Sequence, residues 1–428
     1  LNKVKVALLG LGNVGTGVWK ILNTNKEEIR RRSGYDIEIT KILVRDKSKK
    51  RDVEVPEELL TDNADEVFNN DDIRIVVELM GGVEPAYEYM LRAIRSKKHL
   101  VSANKMVIAT KGEELIDAAS EEGVMFYYEA SVGGGIPIIH GINESLTANK
   151  IEEVVGIING TTNYILTKMS LEGLSFESAL KEAQEKGYAE ADPTSDVEAY
   201  DAMYKLAILS SLSFGAKINL NSIYREGITK IESVDIAYAK ELGYTIKLLA
   251  IGKNDDGVLE LRVHPAMIPA THPLAYVNDS FNAIFIRGNA IGDLMLYGKG
   301  AGALPTGSAV VGDIISILRN NIDLAASNDN KLIETSVKYS PMEDTQCEYY
   351  IRLTVRDLPG TFGEIATILG KHGVSLSSVI QKGKGEEFVP LVFVTHGTQE
   401  AKINKSLEEM KNMPAIHKVE NVIRVESL

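Results

Sequence analysis

Glu190, Asp196, Asp201 and Lys205 fall within one short stretch near the middle of the chain. On a helix, Asp201 and Lys205 stand about one turn apart on the same face, with the acid nearer the N-terminus. A lysine held beside a carbonyl can supply a proton and offset the charge of a developing alkoxide. A carboxylate such as Glu190 can orient a substrate's ammonium group, and Asp201 can hold the lysine in place as well as touch substrate. An exposed ion pair has the same spacing, and spacing alone favours that plainer reading. What shifts the weight is Gly187-Tyr188-Ala189-Glu190-Ala191-Asp192-Pro193, which puts further acids in a loop just before the helix.

A second set opens the chain. Gly10-Leu11-Gly12-Asn13-Val14-Gly15 follows an apolar run and precedes a helical pattern. The glycines permit a tight turn and bring backbone close to a pyrophosphate at a helix N-terminus. The next strand ends at Val44-Arg45-Asp46, where a carboxylate holds ribose hydroxyls in NAD enzymes and a cation meets the 2′-phosphate of NADP. Arg45, with Lys47, Lys49, Lys50 and Arg51 after it, tips the balance to NADP, while Asp46 keeps NAD open. The plainer alternative is a solvated basic turn.

A third constellation is Glu129-Ala130-Ser131-Val132-Gly133-Gly134-Gly135-Ile136. In an extended segment the carbonyls of Val132, Gly134 and Ile136 point one way and can converge on a cation, with an anionic oxygen from Glu129. A mobile glycine turn is the alternative. The seven histidines show no metal-ligand spacing and read as structural or surface residues.

The elements that must position these groups follow from the apolar pattern. Val4–Leu9, Ile37–Val44, Ile73–Leu79, His99–Ala103 and Val124–Tyr128 read as short buried strands alternating with helices, one of them from about Glu113. This alternation predicts an α/β fold, a Rossmann-like doubly wound parallel sheet. Ser195-Asp196-Val197-Glu198 has capping-box spacing after Pro193, which predicts one helix running to about residue 212. Residues 327–346 are polar and read as a linker. Beyond them the order β-α-β-β-α-β predicts a small ferredoxin-like domain.

At 428 residues the chain predicts two or three domains. The 44% apolar and 25% charged content is that of a globular protein. A net charge of −13 disfavours nucleic acid or a membrane surface as partner. No apolar run is long enough to span a bilayer, and the chain as given opens on a strand pattern instead of a secretory signal. A single cysteine, Cys347, fits a reducing cytoplasm.

Several separated segments, in order, resemble homoserine dehydrogenases over essentially the whole length. They are Val101-Ser102-Ala103-Asn104-Lys105, Asn159-Gly160-Thr161-Thr162-Asn163-Tyr164, the Gly187–Pro193 loop, and Gly300-Ala301-Gly302 through Pro305-Thr306-Gly307-Ser308-Ala309-Val310. The resemblance implies reversible, NADP- or NAD-dependent interconversion of L-homoserine and L-aspartate 4-semialdehyde. It implies Lys205 as proton donor and acceptor and Lys105 as a second lysine at the reacting centre. Glu190, Asp201, Asp196 and Thr162 are implied as substrate ligands. Gly187, Gly302, Ser102 and Lys105 join Gly10–Gly15 and Arg45 at the cofactor, and a monovalent cation, Na⁺ or K⁺, is implied at Glu129, Val132, Gly134 and Ile136.

The expected organisation is a dinucleotide-binding domain over 1–135, with 303–326 packing back on it. An α+β catalytic and dimerisation domain over 136–302 and a regulatory domain over 347–428 complete it. Arg356-Asp357-Leu358-Pro359-Gly360 between the first strand and helix of the last resembles the effector turn of ACT domains. That resemblance implies an amino-acid effector, with threonine the expected one, in a homodimer or homotetramer. Two rivals are weighed. A thioester-forming semialdehyde dehydrogenase needs an active-site cysteine, and Cys347 lies beside the linker. A dinucleotide-sensing regulator needs a partner- or DNA-binding module, and no basic helix-turn-helix is evident.

Overall fold

The computed structural model describes residues 2–320, 337–383 and 386–428. The chain divides into two compact units. The first takes residues up to Val154, then Tyr204–Leu220 and the described residues from Asn282 to 320; the second takes Val155–Met203, Asn221–Phe281 and Val337–Leu428.

In the first unit six strands lie side by side in the order Leu60–Thr61, Tyr35–Leu43, Asn2–Leu9, Ile73–Glu78, His99–Ser102, Phe126–Tyr127. Every pairing is parallel, and the order reverses at the first strand, as in a doubly wound sheet. Val6, Ala7, Leu8 and Leu9 are wholly buried. A strand covered on both faces needs an unbroken apolar run instead of alternation.

One cover is the helix Ala303–Arg319, whose Val310, Val311, Ile314, Ile317 and Leu318 join the same core as Val4, Leu8 and Val18. It lies hard against the helix Asn13–Thr24. A Cβ on Gly17 would come 1.8 Å from the Ala303 carbonyl oxygen, and one on Gly307 2.8 Å from the Gly17 backbone. The helix expected from about Glu113 begins earlier, at Lys105, because the Asn104 side chain caps it by accepting from the Val107 N–H at 3.2 Å.

The second unit is built on the antiparallel hairpin Tyr244–Asp255 and Val258–Pro269. The C-terminal segment has strands Gln346–Arg356, Leu376–Gln381, Phe388–Thr395 and Ile416–Val425, with helices Thr361–Lys371 and Glu400–Met410. Its strand order, last-first-third-second, is that of a ferredoxin-like module, and its last strand pairs in parallel with the hairpin at Ala266↔Arg424 and Met267↔Val425. Buried arginines accompany this junction. Arg262 donates to Glu426 at 2.7 and 3.2 Å, Arg352 to Asp235 at 2.7 Å, and Arg424 to Glu400 and Glu226 at 2.9 and 2.8 Å. A guanidinium is tolerated there only because carboxylates meet it.

Two expectations change. Of the polar stretch 327–346, residues 327–336 lie outside the described residues. The remainder is structured, with Lys338–Tyr339 paired along Val258–Leu259 and a tight turn at Met342–Asp344. The single helix expected after Pro193 is two: Thr194–Val197 and Tyr200–Phe214, separated by Ala199 at φ 63°. A distant segment breaks it. The Ile228 N–H donates to the Val197 carbonyl at 2.8 Å, and Gly227 packs on Val197 and Glu198 so closely that a Cβ would stand 2.3 Å from the Val197 oxygen. Among the described residues no helix is long and apolar enough to cross a membrane.

Candidate active site

In the first unit the glycine motif divides its work as the turn demands. Gly10, at φ 106°, makes the left-handed bend; Gly15 approaches the Gly10 carbonyl; and a Cβ on Gly12 would meet nothing within 4 Å, leaving room for a ligand. Leu11, Gly12 and Asn13 face a cleft of 860 Å³ at the N-terminus of Asn13–Thr24, and the cleft wall includes Arg45, Lys49, Lys50 and Arg51. Val14 packs against the core beside Gly15. The Asp46 carboxylate is turned onto its own loop, accepting from the Ser48 hydroxyl at 2.6 Å and the Ser48 N–H at 2.8 Å, which lowers its pKa. Arg45 is exposed at the same rim.

At the end of the strand His99–Ser102, the Ser102 hydroxyl donates to Glu78 at 2.6 Å and accepts from the Asn104 N–H at 3.0 Å. Lys105 is then the first residue of the helix, half-buried. Glu78 was not singled out by sequence. It is wholly buried, and burial pushes its carboxyl up to about 7.

The Glu129 loop differs from its expected form. Gly133 and Gly134 both have left-handed φ, 71° and 54°, and the Ile136 N–H closes a turn on the Gly133 carbonyl at 2.9 Å. The segment is therefore curled, and the alternation that would align the carbonyls of Val132, Gly134 and Ile136 does not apply. The curl is needed because Gly134 lies on the 300–301 backbone, a Cβ there falling 2.4 Å from the Gly300 oxygen. Gly302, at φ 118°, continues that backbone into Ala303–Arg319. The Glu129 oxygens accept from the Ile139 and His140 N–H groups at 2.9 and 2.7 Å, and burial raises the carboxyl to about 7. His140 is more than a structural or surface histidine. Its Nε2 lies 2.9 Å from Asp313 and its Nδ1 2.9 Å from Glu144, and the Asp313 bond raises it to about 9.

In the second unit the strand Ile151–Ile157 delivers Asn159 to the start of the helix Gly160–Glu172. Thr162, nearly wholly buried, gives its N–H and its hydroxyl to the Asn159 side-chain oxygen at 2.8 and 2.9 Å. The acidic loop is fixed from behind. Thr161 donates to the Tyr188 carbonyl at 2.6 Å, Gln184 to the Glu190 carbonyl at 3.1 Å, and Asp192 accepts from the Thr194 N–H at 3.1 Å. Gly187 makes the left-handed turn into it at φ 76°, and the Glu190 side chain is exposed. Asp196 and Asp201 each accept from Asn159, at 2.7 and 2.8 Å. Asp201, 3% exposed, opens the helix Tyr200–Phe214, and Lys205, 8% exposed, lies on the part of the same helix that belongs to the first unit; their burial excludes the exposed-ion-pair reading.

A family model described as homoserine dehydrogenase matches residues 137–315, one described as the homoserine dehydrogenase NAD-binding domain matches 10–129, and an ACT-domain model matches 349–414. A curated homoserine dehydrogenase of Synechocystis is 44% identical over 436 residues, 99% of each chain.

The chain belongs to the homoserine dehydrogenase family.

A solved homoserine dehydrogenase from Thiobacillus denitrificans is 40% identical, with a TM-score of 0.93 over 100% of this chain and 99% of that one. A hyperthermophilic archaeal homoserine dehydrogenase in complex with NADPH is 27% identical, with a TM-score of 0.62 over 74% of this chain and 98% of that one. As a homoserine dehydrogenase the chain is an oxidoreductase that interconverts L-homoserine and L-aspartate 4-semialdehyde with a nicotinamide cofactor, and its C-terminal module is an ACT domain. The thioester rival falls with Cys347, which is buried in that module and pushed up to about 12 by burial. Sequence reasoning missed Glu78, Asp313 and Lys247. The last is a buried amine brought down to about 8 by desolvation and bonded to Asn163 at 3.1 Å. Only Asn163, inside a segment already singled out, carried any signal of it.

Proposed function

We propose that this homoserine dehydrogenase prefers NADP, uses Lys205 to move the substrate's hydroxyl proton, and is restrained by threonine through its ACT domain. The observation that carries the catalytic reading is the buried Asp201 and Lys205 one turn apart on Tyr200–Phe214. A nicotinamide held there would supply the hydride acceptor for homoserine and the hydride donor for the semialdehyde. Lys205 takes the hydroxyl proton during oxidation and restores it to the alkoxide during reduction. Lys105 adds positive charge near the same oxygen, and Glu190, Asp196 and Asp201, with Thr162 behind them, orient the substrate's ammonium group. Gly187 and Gly302 offer backbone to the cofactor. Gly10 to Gly15 hold its pyrophosphate, and Ser102 and Lys105 join them at the cofactor.

Arg45 is the NADP-selecting residue. It stands at the cleft rim while the Asp46 carboxylate is engaged by Ser48, which leaves a cation at the rim where a 2′-phosphate belongs. Arg45→Ala should raise the KM for NADP about tenfold and leave that for NAD nearly unchanged, read by steady-state kinetics with each cofactor. Equal losses for both would give Arg45 some other role.

A monovalent cation, Na⁺ or K⁺, is part of this proposal, at the Glu129 loop. The buried Glu129 and Asp313 have one histidine between them for compensation, and carbonyls of the curled 132–136 segment lie beside Glu129 in the chain. Its part is to hold the loop's shape. The enzyme is read as a cytoplasmic homodimer or homotetramer.

For regulation, the turn Arg356–Gly360 offers Asp357 and, at Gly360, a left-handed backbone at φ 96° opening the helix Thr361–Lys371. Threonine must bind one subunit arrangement better than another to act. Because Ile416–Val425 is paired into the central hairpin, deleting the domain would strip the catalytic unit, so a point change is the cleaner test. Asp357→Ala should shift threonine inhibition to at least about tenfold higher concentration with uninhibited kcat unchanged. Inhibition unaltered by Asp357→Ala would remove this turn as the sensor.

A further inference from the structure

We infer that Asn159 is a positioning residue for the substrate acids, holding Asp196 and Asp201 in one arrangement by bonding both at once. Its amide is 5% exposed and uses every hydrogen-bonding position it has. Nδ2 donates to Asp196 Oδ1 at 2.7 Å and to Asp201 Oδ2 at 2.8 Å. Oδ1 accepts from the Thr162 N–H at 2.8 Å and the Thr162 hydroxyl at 2.9 Å. The amide cannot be flipped, since a flip would aim its lone pairs at two carboxylates.

The consequence reaches three elements. Asp196 belongs to Thr194–Val197 and Asp201 to Tyr200–Phe214, two helices parted by the left-handed break at Ala199. Asn159 sits at the start of a third helix, Gly160–Glu172, whose N-cap it is. That helix is itself fixed, because a Cβ on Gly160 would come 2.8 Å from the Ser280 carbonyl oxygen. One amide thus ties two acids on separate helices to a rigid platform. It also gives each carboxylate a neutral donor. Aspartate would add a third negative charge, and serine is too short to bridge.

The inference rests on the reading that these acids bind the substrate's ammonium group, and the test separates the two. Serine is a good N-cap, so Asn159→Ser keeps the start of the helix while removing the bridge. Steady-state oxidation of homoserine by the full chain should show a homoserine KM raised about tenfold or more, with the NADP KM near wild type. Asp201→Asn should raise the homoserine KM likewise. A normal homoserine KM in Asn159→Ser beside a raised one in Asp201→Asn overturns the positioning role and leaves the acids as substrate ligands. A normal value in Asp201→Asn overturns the reading of the acids, and this inference with it. If Asn159→Ser raises both KM values together and lowers the thermal midpoint, Asn159 is structural only and the inference fails. Asn159→Ala, which loses cap and bridge together, should show the same homoserine effect with a midpoint below that of Asn159→Ser.

Discussion

Lys205→Ala should lower kcat for homoserine oxidation at least about a hundredfold while leaving the cofactor's dissociation constant within about twofold, in keeping with loss of a general acid–base group. Lys205 is 8% exposed on Tyr200–Phe214, one turn after Asp201, which is 3% exposed. In that setting it can both stabilise a developing alkoxide and exchange a proton with it. The two roles come apart in Lys205→Arg. A guanidinium keeps the charge but does not release its proton, so turnover should stay well below wild type in this variant too. Stopped-flow and steady-state rates on the same preparations would show it. Turnover within threefold of wild type in Lys205→Ala would remove the lysine from the proton path.

The largest stability effect should come from Asp235→Ala. Asp235 is wholly buried in the helix Ser233–Glu241 and accepts from Arg352 at 2.7 Å, Asn421 at 2.9 Å, Tyr350 at 3.0 Å and the Glu232 N–H at 3.1 Å. Three of those donors come from the ACT domain. Removing the acid strands a buried guanidinium whose other partner, Glu232, is largely exposed, and breaking such a pair costs about 3–5 kcal/mol. The only tryptophan, Trp19, lies in the first unit and the affected pair in the second, so two probes resolve the effect. Urea unfolding followed by circular dichroism should begin at clearly lower concentration in Asp235→Ala, with the Trp19 fluorescence transition moved less. A loss under about 1 kcal/mol would mean that apolar packing, and not this acid, holds the ACT domain to the helix Ser233–Glu241.

Most of the architecture was legible because it rests on local pattern. The apolar runs at Val4–Leu9 and Ile73–Leu79, the glycine turn between strand and helix, and the β-α-β-β-α-β order beyond residue 346 each report their own element. What stayed hidden depends on distant partners. Ala199 is forced left-handed by Gly227 and Ile228, and nothing near Ala199 in sequence says so. The 132–136 segment looked extended because its contact with Gly300 is invisible from the loop alone. Asn159 lay inside a quoted segment, but its acceptors are 37 and 42 residues away, so only the fold reveals why an amide stands there. Arg262, Arg352 and Arg424 have nothing beside them in sequence that marks them as buried, and only the fold brings Glu426, Asp235 and Glu400 to them. His140 was passed over for the same reason, since Asp313 reaches it across 173 positions.

The central claim is direct hydride exchange between the alcohol carbon of homoserine and the nicotinamide. It is tested most directly by oxidising homoserine carrying two deuteriums on that carbon and locating the label in the reduced cofactor by mass spectrometry and NMR. One deuterium should appear on C4 of the nicotinamide for each semialdehyde formed, with NADP turned over faster than NAD. Reduced cofactor without deuterium, or no turnover of homoserine with either cofactor, would contradict the account.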